Sequence, residues 1–129
     1  MLVKLSEREE FLGKKIVNAA YLVHKELGPG LLEKIYERCM YHVLMHEGLN
    51  VVRQKSVAIN FQGIVFEEGV WMDLLIEEKV IVEIKSVEVV NPVWQAQILS
   101  QLKLTGLHLG FVINFNVPLI KDGIRRFVK

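Results

Sequence analysis

The segment that decides the fold runs from residue 71 to residue 85 and reads WMDLLIEEKVIVEIK. Its two apolar runs, separated by Glu77-Glu78-Lys79, predict two β-strands joined by a turn. Because successive strand residues point to opposite faces, Glu83 and Lys85 share a face. A hairpin that turns within the polar run places Asp73 opposite Glu83. The segment therefore predicts three ionisable side chains on one face of an otherwise apolar sheet.

This predicted cluster indicates a metal site, because buried charges are costly unless they are paired or bind a metal. Two neighbouring carboxylates suit Mg²⁺ or Mn²⁺, which prefer oxygen ligands. We predict Asp73, Glu83 and the backbone carbonyl of Ile84 as the metal ligands. Without metal, repulsion between the carboxylates predicts a raised pKa for at least one of them. Lys85 would orient a water activated by the metal, or neutralise negative charge that develops on a phosphate oxygen. The alternative is an ion-pair cluster, since this spacing also arises by chance.

The rest of the chain predicts an α/β fold, more narrowly an α+β arrangement with a mixed sheet flanked by helices. Ser6 and Glu9 resemble a capping box, and Gly28-Pro29-Gly30 separates two helical stripes. Asn91-Pro92 predicts the start of a third helix that ends before Gly106. The predicted order is ααβββαβ with an extra edge strand at the end. The predicted strands cover residues 51–59, 65–76, 80–85, 109–115 and 124–128.

Composition indicates a folded protein without a strong charge bias. The chain has 129 residues, which predicts a single domain over residues 1–129. Its formal net charge is +1, so charge alone gives no argument for nucleic acid. A single cysteine and an N-terminus without signal-peptide character predict a cytoplasmic protein. No apolar stretch is long enough to predict a membrane span.

The motifs together resemble a known family. Residues 30–36, GLLEKIY, match the GxxExxY signature that names a family of small bacterial and archaeal proteins. The resemblance extends from about Phe11 onward. The further matching segments, in order, are Asp73-Leu74-Leu75, Val80-Ile81-Val82-Glu83-Ile84-Lys85, Gln97-Ile98-Leu99, Leu102-Lys103 and Ile113-Asn114-Phe115. That family is placed in the PD-(D/E)XK superfamily of nucleases.

The resemblance implies a restriction-endonuclease-like core with Asp73, Glu83 and Lys85 at its central acidic, acidic and basic positions. It also implies that Glu33 is the acidic residue supplied by a preceding helix, and that Gln97 holds a water or a DNA backbone group. Two positions depart from the superfamily's patterns. Met72 stands where proline is usual, and Gln101 stands where a Q-x-x-x-Y pattern would have tyrosine.

Other candidate residues have simpler interpretations. Tyr36 lies on an apolar stripe and is predicted to be core, with its hydroxyl bonded to a partner. His42 and His46 have a spacing that can bind metal on a helix, but no third ligand is evident, so packed or solvated histidines are favoured. Cys39 is predicted to be inert core. The basic residues near the C-terminus predict either a solvated edge or a phosphate contact.

Three hypotheses about function follow. The first is a Mg²⁺- or Mn²⁺-dependent nuclease that hydrolyses phosphodiester bonds of nucleic acid, with DNA favoured. The second is a non-catalytic nucleic-acid-binding or assembly module that keeps the nuclease fold. The third is a structural oligomer. The complete Asp73, Glu83 and Lys85 set favours the first. A homodimer or a protein partner is expected, and no membrane partner.

Overall fold

A five-stranded sheet with strand order β1-β2-β3-β4-β5 forms the centre of the computed structural model, which describes residues 3–129. Two helices precede the sheet and a third lies between its third and fourth strands. In chain order the elements are α1 (Glu7–Leu27), α2 (Glu33–His46), β1 (Val51–Phe61), β2 (Ile64–Ile76), β3 (Val80–Lys85), α3 (Val93–Thr105), β4 (Leu109–Asn114), a 3₁₀ turn (Ile120–Asp122) and β5 (Ile124–Val128). The predicted element order is confirmed, including the final edge strand.

The sheet is mixed, as predicted. Strand β2 pairs antiparallel with β1 and with β3, and β5 pairs antiparallel with β4. Strands β3 and β4 are parallel, because α3 carries the chain back across the sheet between them. All six residues of β4 are buried, as expected for a strand covered on both faces.

Helices cover both faces of the sheet. One apolar cluster joins α1 and α2 to the inward residues of β3, which are Val80, Val82 and Ile84. A second cluster joins α3 to Ile81 on the opposite face. This alternation along β3 confirms the period-two interpretation of the sequence, with Glu83 and Lys85 in phase with Ile81.

The predicted capping box and turns are present, and α3 begins at Val93 with Pro92 as its N-cap, one residue later than predicted. Ser6 and Glu9 form a capping box at the start of α1. The Asn91 side chain accepts a hydrogen bond from the Val93 N–H, and Pro92 already has helical backbone angles. Gly106 ends α3 in the left-handed conformation. The β2–β3 turn has positive φ at Glu77 and Glu78, a conformation that matches the twist of a tight hairpin.

The β1–β2 hairpin extends well beyond the rest of the sheet. Its pairing continues to Phe61 and Ile64, whereas β3 pairs only with residues 74–76 of β2. We call residues 59–66 the hairpin tip. Four large apolar side chains there are each more than half exposed: Phe61, Ile64, Val65 and Phe66. Among the described residues, none of the helices combines the length and apolar character needed to cross a membrane.

Candidate active site

The two predicted acidic residues lie in a fork between β2 and β3. Ladder pairing joins Leu74, Leu75 and Ile76 to Val82, Ile81 and Val80, and it stops there. Beyond this point β2 follows β1 into the long hairpin. Asp73 comes immediately before Leu74 in β2, and Glu83 comes immediately after Val82 in β3. Both residues therefore lie where the two strands separate.

Hydrogen bonds tie the two carboxylates to the opposite strands. The Asp73 N–H donates to Oε2 of Glu83 at 2.8 Å, and the Ile84 N–H donates to Oδ2 of Asp73 at 2.8 Å. Each side chain thus satisfies a backbone donor that would otherwise lack a ladder partner. The carboxylates are held in place by the backbone of the sheet.

Glu83 is a buried carboxylate with a strongly perturbed acidity. Burial, followed by the nearby negative charge of Asp73, raises the pKa of Glu83 to about 7. Its Oε1 accepts a 2.9 Å hydrogen bond from the amide of Gln101, which opposes this rise. The predicted rise in pKa for one of the two carboxylates is therefore confirmed. Its principal cause is burial, and repulsion comes second.

Lys85 ends β3 on the same side of the sheet as Glu83. Its ammonium lies 5.6 Å from the centre of the Trp94 ring, a cation–π arrangement. Among the ion pairs of residues 3–129, none joins Lys85 to Asp73 or Glu83. A simple Asp–Lys–Glu ion-pair cluster does not describe this arrangement.

Two clefts flank the fork. The first, of about 530 Å³, includes Glu33, Asp73 and Ile84 in its lining and lies on the α2 side. The second, of about 470 Å³, includes Glu83, Lys85 and Gln97 and lies on the α3 side. Sequence reasoning placed the three central side chains on one face. In the structure Asp73 lines the first cleft and Glu83 and Lys85 line the second, because Met72 and Leu75 both pack in the α3 cluster and the alternation of β2 therefore shifts at Asp73.

The α1–α2 connection positions Glu33 at the first cleft. The Tyr36 hydroxyl donates to the Gly28 carbonyl at 2.6 Å and accepts from the Leu31 N–H at 3.1 Å. Its ring is fully buried and stacks on Phe115 with ring centres 4.5 Å apart. This confirms the prediction for Tyr36. The tyrosine fixes the loop that begins α2, and Glu33 is the first residue of that helix.

Sequence reasoning missed two residues of the first cleft, Glu37 and Gln54. Glu37 is buried and receives a 2.6 Å hydrogen bond from the Gln54 amide. The same amide nitrogen donates to Oδ1 of Asp73 at 3.2 Å. Glu37 follows Glu33 by four residues, so helical spacing alone places both on one face of α2. No local signal marks Gln54.

Gln101 on α3 donates a hydrogen bond to the buried carboxylate of Glu83. It is buried on α3 and its amide also approaches the Trp71 carbonyl at 3.4 Å. The exposed residue Gln97, one turn earlier, lines the second cleft without such a contact.

The donor set fits a hard divalent cation that keeps several waters. Asp73 and Glu83 offer carboxylate oxygens, and the N–H and C=O groups of one strand residue face the same neighbour, so the Ile84 carbonyl also faces β2. Within residues 3–129, no three or more His, Cys, Asp or Glu side chains converge closely enough for a metal cage. Mg²⁺ characteristically binds through one or two carboxylates and retains water, so the set remains compatible with it.

The histidine pair and Cys39 give no competing metal site. His46 Nδ1 lies 2.9 Å from the His42 carbonyl oxygen, and the two rings are 4.1 Å apart. Cys39 is partly buried against the core. In the C-terminal basic segment, Arg126 pairs with Glu10 at 2.8 Å, which is a structural contact.

Comparison with protein families agrees with the geometry of fold and fork. A family model described as the PD-(D/E)XK nuclease superfamily matches residues 10–127. The chain therefore belongs to this superfamily. Its mixed sheet with flanking helices is consistent with the restriction-endonuclease-like fold. No curated protein and no solved structure gave a significant match.

Proposed function

We propose that this protein is a divalent-metal-dependent nuclease that hydrolyses phosphodiester bonds, with DNA as the favoured substrate. The observation that carries the proposal is the pair of carboxylates, Asp73 and Glu83, fixed by backbone hydrogen bonds in the fork between β2 and β3. Lys85 lies two residues after Glu83 in β3. Membership of a nuclease superfamily supports the same reaction class.

Asp73, Glu83 and the Ile84 carbonyl are the proposed ligands of Mg²⁺ or Mn²⁺. A bound ion would supply Lewis acidity, lowering the pKa of a water and stabilising charge on a phosphate oxygen. The charge of the first cleft supports metal dependence. Three acidic residues line it, Glu33, Glu37 and Asp73, and one basic residue, Lys34. Such an acidic cleft repels a phosphodiester until a cation neutralises it.

The remaining roles belong to side chains around the fork. Lys85 lies in the same cleft as Glu83, where its ammonium can orient water or stabilise negative charge in the transition state. Gln97, exposed on α3 in that cleft, is proposed to hold a water or a backbone group of the nucleic acid. Glu33 is proposed as an additional acidic group on the opposite side of the fork.

We also propose that the chain is a member of the GxxExxY family. The signature has a structural explanation in this protein. Gly30 adopts a φ of 98°, which favours glycine, and Tyr36 closes the loop around it. Glu33 between them begins α2 beside Asp73. The three named positions of the signature therefore shape one wall of the proposed active site.

The test is Mn²⁺-dependent cleavage of a panel of single-stranded, duplex and branched DNA and RNA. Wild type should cut at least one member, and Asp73→Asn, purified identically, should cut none. Equal cleavage by both proteins would identify a contaminant. A wild type that binds a member of the panel without cutting it would support the alternative, a non-catalytic nucleic-acid-binding or assembly module.

A further inference from the structure

Gln54 has an unusual backbone conformation in the middle of β1. Its φ is 50°, in the left-handed region that strains residues other than glycine. It stands across from Asp73, between the paired residues Arg53 with Leu74 and Lys55 with Met72. The register is the same on both sides, so no inserted residue explains the conformation. Strain that persists at one residue of a strand indicates a side chain that is needed in place.

The side chain of Gln54 joins two carboxylates. Its Nε2 lies 2.6 Å from Oε1 of Glu37 and 3.2 Å from Oδ1 of Asp73. An amide nitrogen has two hydrogens, so this group makes two donor contacts and has none left. The second oxygen of Glu37 lies 3.7 Å from the Arg53 guanidinium. Glu37 is thus engaged on both oxygens although it lies beside a proposed metal ligand.

The amide nitrogen occupies the position between the carboxylates of Glu37 and Asp73 that a bridging cation would take. An N–H group satisfies carboxylate oxygens but cannot ligate a metal. We propose that Gln54 determines how many divalent ions the active site binds. By keeping Glu37 out of the coordination sphere, it limits the site to one ion, bound at Asp73 and Glu83. This inference rests on the proposed function, because it assumes that Asp73 and Glu83 bind metal.

A Gln54 that limits the number of bound ions behaves differently from a Gln54 that merely stabilises the buried Glu37. A purely stabilising role would affect folding and leave the number of bound ions unchanged. Gln54→Glu keeps the length and shape of the side chain and replaces the N–H donor with an oxygen ligand. With Glu37 and Asp73 it would offer three carboxylates around one position, a set suited to a second hard cation.

The experiment is titration of the purified, metal-free protein with Mn²⁺, read by calorimetry. Wild type is expected to bind one ion, Gln54→Glu two, and the double variant Gln54→Asn with Glu37→Gln, which leaves Asp73 as the one carboxylate at this position, one. Gln62→Glu is the matched control, because Gln62 also has a φ of 50° but lies in the β1–β2 turn, and it should bind one ion. Circular dichroism verifies that each variant is folded.

The outcomes distinguish this inference from the proposed function. One ion in wild type and one in Gln54→Glu, or two in wild type, overturns the inference and leaves the metal site standing. No ion in wild type overturns the proposed function and the inference with it. If Gln54→Glu does not fold, Gln54→Asn replaces it, since asparagine tolerates the left-handed region and its shorter amide releases Glu37. A second ion is expected there also, and its absence overturns the inference.

Discussion

Oδ2 of Asp73 accepts a 2.8 Å hydrogen bond from the backbone N–H of Ile84, in the next strand of the sheet. The side chain of Asp73 therefore replaces a missing ladder bond at the point where β2 leaves β3. A residue that serves both as a structural acceptor and as a proposed metal ligand needs variants that separate the two roles.

Asp73→Ala is expected to unfold more easily than Asp73→Asn. Alanine leaves the Ile84 N–H without its acceptor, and a buried unpaired donor costs about 1–3 kcal/mol. Asparagine retains an oxygen for that bond. The measurement is the free energy of unfolding from urea denaturation of metal-free protein. Equal values for the two variants would show that the hydrogen bond contributes nothing to stability.

Metal-free Glu83→Gln should be more stable than wild type at pH 8 and closer to it at pH 5. The pKa of Glu83 is raised from 4.5 to about 7 on folding. The contribution of Glu83 to the free energy of unfolding is therefore most favourable below pH 4.5, and it is lost as the pH rises through 7. A neutral amide removes this penalty, which amounts to at most about 3 kcal/mol. Thermal denaturation across this pH range checks it, and a variant with the wild-type pH dependence would contradict it.

Lys85→Ala should retain metal binding but lose most of the cleavage rate. The Lys85 ammonium is not a proposed ligand, and positioned electrostatic groups of this kind contribute about 10²–10³ in rate. Lys85→Arg should not restore the rate, because a planar guanidinium places its donors differently. Single-turnover cleavage with saturating Mn²⁺ provides the comparison. A wild-type rate in Lys85→Ala would disprove the role assigned to Lys85.

The protein is expected to form a dimer or bind a protein partner through exposed apolar surface. The chain has a mean hydropathy of +0.28, and the hairpin tip exposes several large apolar side chains in one place. Light scattering at tens of micromolar should give the mass of two chains for wild type. Ile64→Ser with Phe66→Ser should lower it to one, whereas Val89→Ser, an exposed apolar control elsewhere, should not. A monomeric wild type would contradict self-association.

Much of the fold could be predicted because local signals agree with it. The alternation in β3 identified its faces, and the polar run at Glu77-Glu78-Lys79 identified the turn that brings Asp73 to Glu83. The Asn91-Pro92 pair identified the start of α3. In each case a few neighbouring residues determine the local geometry through side-chain period, capping or turn conformation.

The rest of the site depends on contacts between distant segments. Gln54 adopts its left-handed backbone opposite Asp73 and beside Glu37, and nothing in the neighbouring residues predicts that conformation. Gln101 did carry a signal that sequence reasoning did not use. It lies on the apolar stripe of α3 that includes Ile98 and Leu102, and a polar residue at a buried position requires a partner.

Calorimetric titration of metal-free wild type and Asp73→Asn with Mn²⁺ tests the central claim most directly, because every proposed role depends on a metal bound at the fork. The account predicts binding to wild type, with protons released at pH 7 because Glu83 must ionise to serve as a ligand, and no binding to folded Asp73→Asn. Equal affinity in the two proteins, or no binding to wild type, would contradict the assignment of Asp73 and Glu83 as metal ligands.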